Sequence, residues 1–176
     1  MKKLPFFSLA FFIIILSGNH VKGQHPAPNI LLSKVGLHTF SDPVKPDKFI
    51  LVITGRSLLK GKVTLQIINF SGMEIFKKTC STEDLLGDMG DVLTSHQKTD
   101  TIKSRVLHFF DEHNFTKPAI APTEKFDKDQ TDIKTWKDIQ SDRTAIGFIY
   151  SMYYESTFGI AWSKKNHKVV EFFYSD

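Results

Sequence analysis

Residues 49–80 constrain the fold most, because three strand-type runs follow one another there with only turns between them. Residues 49–54 (FILVIT) are apolar and rich in β-branched side chains, the pattern of a strand covered on both faces. Residues 62–70 (KVTLQIINF) alternate instead. Val63, Leu65 and Ile67 point one way and Thr64 and Gln66 the other, as in a strand with one wet face. Ser71-Gly72 is a two-residue turn signal, since glycine takes positive φ without strain, and residues 73–80 (MEIFKKTC) supply the hairpin partner. Together these runs predict a three-stranded meander. Upstream, residues 29–40 read as one more strand, and residues 41–48, with Pro43 and Pro46, as loop.

The middle of the chain changes period. Ser81 with Asp84 has the spacing of a capping box, and Leu85, Met89 and Leu93 then recur at helical intervals, although Gly87 and Gly90 shorten any helix there. Residues 94–99 read as polar loop. Residues 100–113 make the strongest helix: Ile102, Val106, Leu107, Phe109 and Phe110 form an apolar stripe, with Lys103, Arg105, Asp111 and Glu112 assigned to the other side. Asn114 suits its end, and Pro118 blocks resumption. Residues 131–141 give another helix, with Ile133, Trp136 and Ile139 at three-residue steps and Asp129 or Thr131 as its cap. Residues 144–154, 158–163 and 168–174 return to strand patterns. The order predicts an α+β fold: an antiparallel sheet built from two strand meanders, with about three helices inserted between them and packed on one face.

The first residues carry an address. Lys2 and Lys3 precede an apolar block at residues 6–16, which Ser17, Gly18, Asn19 and His20 break. This is the order of a cleavable secretory signal, and the block is far shorter than the roughly 20 residues that span a bilayer. Residues 1–23 are therefore expected to leave, with cleavage before Gln24. Residues 24–46 then form an extended leader and first strand, and residues 47–176 a single α+β domain. Lys2, Lys3 and Lys22 depart with the signal, leaving 20 basic against 19 acidic side chains. That near-neutral balance argues against a nucleic-acid partner. The single cysteine, Cys80, excludes an internal disulfide framework.

Several segments from about Asp47 onward carry a resemblance: residues 54–59 (TGRSLL), Arg105 with Phe109-Phe110 and Asn114-Phe115, Pro118-Ala119-Ile120, residues 145–148 (AIGF) and residues 160–165 (IAWSKK). On these the chain resembles a group of small exported proteins of Bacteroidota to which no activity is assigned. The resemblance implies an envelope or extracellular setting and brings no catalytic or binding residue with it.

Candidate chemistry is sparse. His108 and His113 are five apart, about 140° around a helix of 3.6 residues per turn, so they cannot share a metal from one regular helix. Asp127, Asp129 and Asp132 have calcium-loop spacing, but Asp132 stands where such a loop needs glycine and Asp138 where it needs glutamate. Cys80 as a nucleophile would need a neighbouring histidine, and the sequence selects none among His38, His96, His108, His113 and His167. No nucleophile elbow, phosphate loop or dinucleotide fingerprint is present. Asn69-Phe70-Ser71 and Asn114-Phe115-Thr116 match the glycosylation tripeptide, a motif too short to weigh.

The positive signal is aromatic. Tyr150, Tyr153, Tyr154, Trp162, Phe172, Phe173 and Tyr174 crowd the last three strand runs, and alternation must turn some of them away from the helices. Tyr153, Tyr154 and Trp162 are the candidate binding residues; no catalytic residue, metal or cofactor is assigned. The expectation is a non-catalytic binding or interaction domain exported to the periplasm or beyond. Its partner would be an envelope protein or ligand, with no stable membrane span once the signal is gone. An inhibitor or protective protein against an envelope enzyme is the alternative, and a small hydrolase a more distant one.

Overall fold

The computed structural model describes residues 29–128, 131–153 and 156–175; the export segment predicted for residues 1–23 lies outside them. The alternating run becomes the centre of a four-stranded antiparallel sheet, with β1 (Ile30–Thr39), β2 (Pro46–Gly55), β3 (Gly61–Ile68) and β4 (Glu74–Ser81) side by side in chain order. Phe49, Leu51 and Ile53 of β2 and Val63, Leu65 and Ile67 of β3 form one fully buried face. The β3–β4 connection is longer than the two-residue turn predicted at Ser71-Gly72. The Asn69 carboxamide oxygen accepts the Ser71 and Met73 N–H groups at 3.0 and 2.9 Å, and Gly72 takes φ 87°.

β2 also begins earlier than predicted, inside the segment read as loop. The reason is Asp47, fully buried, whose carboxylate accepts the Ser41 and Phe70 N–H groups at 2.5 and 3.0 Å and the Ser41 hydroxyl at 3.0 Å. Two chain reversals are tied to one side chain, which satisfies the buried charge with hydrogen bonds.

The second meander forms its own sheet from β5 (Phe115–Thr116), β6 (Gly147–Ser151), β7 (Thr157–Ser163) and β8 (Lys168–Ser175). The single sheet predicted from sequence is therefore two sheets, stacked. Phe148 and Tyr150 of β6 and Phe158 and Ile160 of β7 pack in one core with the buried faces of β2 and β3. Phe49 meets Phe148 edge-on at 5.2 Å between ring centres. Stacking buries both apolar faces at once, which one eight-stranded sheet with so little helix could not do.

Two α-helices, not three, occur among the described residues. The Ser81–Asp84 pair does form its reciprocal hydrogen bonds, at 2.8 and 3.1 Å. No α-helix follows, because Gly87 takes left-handed φ 58° and only a 3-10 turn, Gly87–Asp91, comes after it. Helix α1 (Ser95–His108) starts in the segment read as polar loop, where Thr94 and Gln97 make a complete capping box. It ends at His108 rather than His113, and it inserts Ile102 and Val106 into the inter-sheet core. Helix α2 (Ile133–Ser141) is capped by Asp132, which accepts the Lys134 and Thr135 N–H groups. Thr131 is not the cap, and Asp129 lies outside the described residues. Trp136 and Ile139 of α2 pack with Ala161, Val170 and Phe172 on the opposite face of the second sheet. The helices thus do not share one face. The layers run first sheet, second sheet, α2, with α1 flanking the core. No helix among the described residues is long and apolar enough to cross a membrane.

Candidate functional site

Strand β5 is two residues long and pairs only Phe115 with Phe148 and Thr116 with Gly147. The chain reaches it from a 3-10 turn at Glu112–Asn114, too late to cover the rest of β6. Beyond Phe148, that edge of β6 has no strand partner among the described residues, and a cavity of about 310 Å³ lies between it and the end of α1. Leu85, Phe109, Ile149 and Tyr150 give it an apolar floor. Arg105, His108, Asn114 and Ser151 line it with polar groups.

The polar groups are unequally satisfied. His108 Nδ1 lies 2.7 Å from the Asp111 carboxylate. The Asn114 amide donates to the His108 and Phe109 carbonyls at 3.2 and 3.1 Å, capping the helix end that would otherwise present bare oxygens. Ser151 shares a hydrogen bond with Thr157 at 3.0 Å. Arg105 is half-buried and has neither an ion-pair nor a hydrogen-bond partner among the described residues. Burial alone lowers its pKa from the ordinary value, so the guanidinium has given up solvent without gaining a counter-charge.

No protein-family model matches the chain, and no curated protein or solved structure does either. The site rests on geometry.

The sequence-predicted binding residues fall elsewhere. Tyr153 and Trp162 are both half-buried against the inter-sheet core, and Tyr154 lies outside the described residues. Tyr153 sits in left-handed backbone, φ 61°, with its hydroxyl donating to the Thr79 carbonyl and its ring edge-on to Phe158. Lys78 completes that corner, 3.4 Å above the Phe158 ring and 3.3 Å from Glu171. Trp162 lies four residues further along β7, about 13 Å away at ~3.3 Å per residue, in a narrow crevice with Pro43, Ala145 and Lys164. The two side chains belong to different ends of the sheet and form no common surface.

Cys80 is buried, and desolvation pushes its thiol up to about 12, so it is un-ionised at neutral pH and a poor nucleophile. Tyr150 is held protonated by burial, and its hydroxyl, in the field of Glu171, Tyr153 and Cys80, has no hydrogen-bond partner among the described residues. Among the described residues no three His, Cys, Asp or Glu side chains gather as metal ligands. A second hollow, about 200 Å³, lies beside His38, which stacks on Phe115 at 3.6 Å and stands 3.8 Å from the exposed Glu112 carboxylate.

Arg105 was legible on a helical wheel. It is three residues after Ile102 and four before Phe109, so it belongs on the apolar stripe and not opposite it. A charge on a buried stripe was the available signal for the cavity. Leu85, Ile149 and Ser151 carry no such mark, because the gap in pairing that gathers them is a property of the backbone.

Proposed function

We propose that this chain is an exported, non-catalytic binding domain of the periplasm or extracellular space, and that its ligand occupies the cavity at the open edge of β6. One observation carries the reading: a guanidinium half-withdrawn from water above an apolar floor, with no ion-pair or hydrogen-bond partner among the described residues. A desolvated charge without a partner is unfavourable. A ligand supplying the counter-charge would reverse that term. Concave, mostly apolar cavities with a few convergent polar groups are the usual form of small-molecule sites. Export rests on the basic start, short apolar block and polar break of residues 1–23. The un-ionised Cys80 speaks against a thiol hydrolase.

The test has two arms. The mass of the protein recovered from its host should correspond to a chain starting at Gln24; a mass retaining Met1 removes the exported reading. In a two-dimensional NMR titration with a library of small neutral and charged compounds, saturable shifts should concentrate at Arg105, Asn114 and Ser151. They should vanish in Ser151→Trp, which fills the cavity from its exposed rim. Shifts confined to Tyr153 and Trp162 would move the site back to the aromatic strands.

A further inference from the structure

We propose that the cavity's ligand is a monocarboxylate with a short apolar body, its carboxylate held by Arg105 and its body laid on Leu85, Phe109, Ile149 and Tyr150. The inference rests on the reading that this cavity is the ligand site and adds the chemistry that would occupy it.

The headgroup follows from a count of charges. Among the described residues, Arg105 is the only Lys or Arg lining the cavity, and no carboxylate lines it. A planar guanidinium with two parallel N–H groups matches the two oxygens of a carboxylate. A single cation balances a single negative charge; a phosphate dianion would carry an uncompensated charge onto an apolar floor. Phosphate sites also draw on helix N-termini, whereas α1 presents its C-terminal end here, with His108 and Phe109 in the wall. The dipole at that end repels anions. Asn114 blunts the effect by occupying the His108 and Phe109 carbonyls with its amide, so a weakly charged anion is tolerated where a strongly charged one is not. His108 already has a carboxylate partner, with its Nδ1 2.7 Å from Asp111.

The body follows from the floor and the volume. Among the described lining residues, Leu85, Phe109, Ile149 and the ring of Tyr150 present large apolar surface, and they would leave a bare inorganic anion beside surface that gains nothing from it. About 310 Å³ is at the lower end of the roughly 300–1,000 Å³ of small-molecule pockets. At ~30 Å³ per water-sized unit, it holds on the order of ten non-hydrogen atoms, the size of an eight-carbon acid.

Isothermal titration of the full protein, as isolated from its host, with octanoate, octanamide and inorganic phosphate decides the matter. Octanamide keeps the shape and body but loses the charge; phosphate keeps charge and loses the body. Octanoate is expected to bind at least about tenfold tighter than either. Arg105→Gln should bring octanoate down to the level of octanamide, and Arg105→Lys should recover part of the difference, because the charge returns without the fork. Ser151→Trp should weaken octanoate and octanamide alike. Equal affinity for octanoate and octanamide overturns the carboxylate while leaving the cavity as a ligand site. Phosphate binding as tightly as octanoate overturns the apolar body. If none of the three binds saturably, the inference falls and the assignment of the cavity falls with it. Should Arg105→Gln fail to fold, the comparison of the three probes on the unaltered protein still decides between these outcomes.

Discussion

The two sheets have the same number of strands and the same meander connection, yet different things cover them. The first sheet is buried on one face only. Across β2 and β3 the buried row of Phe49, Leu51, Ile53, Val63, Leu65 and Ile67 alternates with half-exposed Ile50, Val52, Thr64 and Gln66, and on β1 Val35 and Leu37 stand in solvent. The second sheet is a middle layer: in β7, Phe158 and Ile160 face the first sheet while Ala161 packs under α2. In the one-sided sheet only β3 writes its orientation as alternation; β2, read from its apolar run as covered on both faces, is covered on one, with Ile50 and Val52 half-exposed. A two-sided sheet blurs the orientation into a continuous apolar run. The aromatic surplus in the last three strands therefore marks burial on two faces more than a surface offered to a partner.

The largest test of that contrast removes a ring from each side of the second sheet. Phe49→Ala, between the sheets, and Trp136→Ala, beneath α2, should each destabilise by about 3–5 kcal/mol in urea unfolding, as buried aromatic truncations do. A loss below about 1 kcal/mol for either would mean that its layer does not cover the sheet. Crowding gives the next effect. A methyl at Gly159 would meet Phe173 Cβ at 2.8 Å and Ile149 Cδ1 at 2.9 Å, so Gly159→Ala should cost about 1–3 kcal/mol. The first sheet's comparable weak point is polar. Asp47→Ala strands two partly buried N–H groups and should cost about 1–3 kcal/mol; unchanged stability would show that water reaches those groups.

A smaller effect separates the sheets by pH. His38 of β1 lies against Phe115 of β5, and burial outweighs the nearby Glu112, so its pKa is lowered from 6.5. The unfolded chain then binds that proton more readily than the folded one. Stability should fall as pH drops below 6.5, and the loss is complete once pH is below the folded-state value. His38→Gln should flatten this part of the stability curve; an unaltered slope assigns it to other groups. Smallest of all, Val35→Thr and Leu37→Thr on the open face of the first sheet should change stability by no more than about 0.5 kcal/mol. A larger loss would reveal a cover over that face.

Local features were the legible ones. The positions of the strand runs, the amphipathic stripe of Ile102 and Val106, and the Trp136–Ile139 spacing appear as read, since each depends on neighbours in sequence, whereas the double cover expected for residues 49–54 does not. What failed depended on distant partners or on one backbone angle. Gly87 in left-handed conformation cancels the helix that Ser81, Asp84 and Leu85 announce. Pro43 and Pro46 hide the start of β2, because the loop signal they give carries no trace of Asp47 binding Phe70 across the sheet. Whether two meanders join edge to edge or stack face to face is not encoded in the period of either one. The candidate site was least visible. Arg105 left a mark on the helical wheel, but the cavity it lines exists because β5 begins only at Phe115, opposite Phe148, and leaves the rest of β6 uncovered.

That late start has a consequence for variation. The opening is framed by main chain, through the end of one strand and the start of another, and not by the bulk of the residues around it. Exchanging Ser151 or His108 would change what the hollow prefers while the frame stays in place. Chains built to this plan could therefore diverge in what they carry and still share one scaffold.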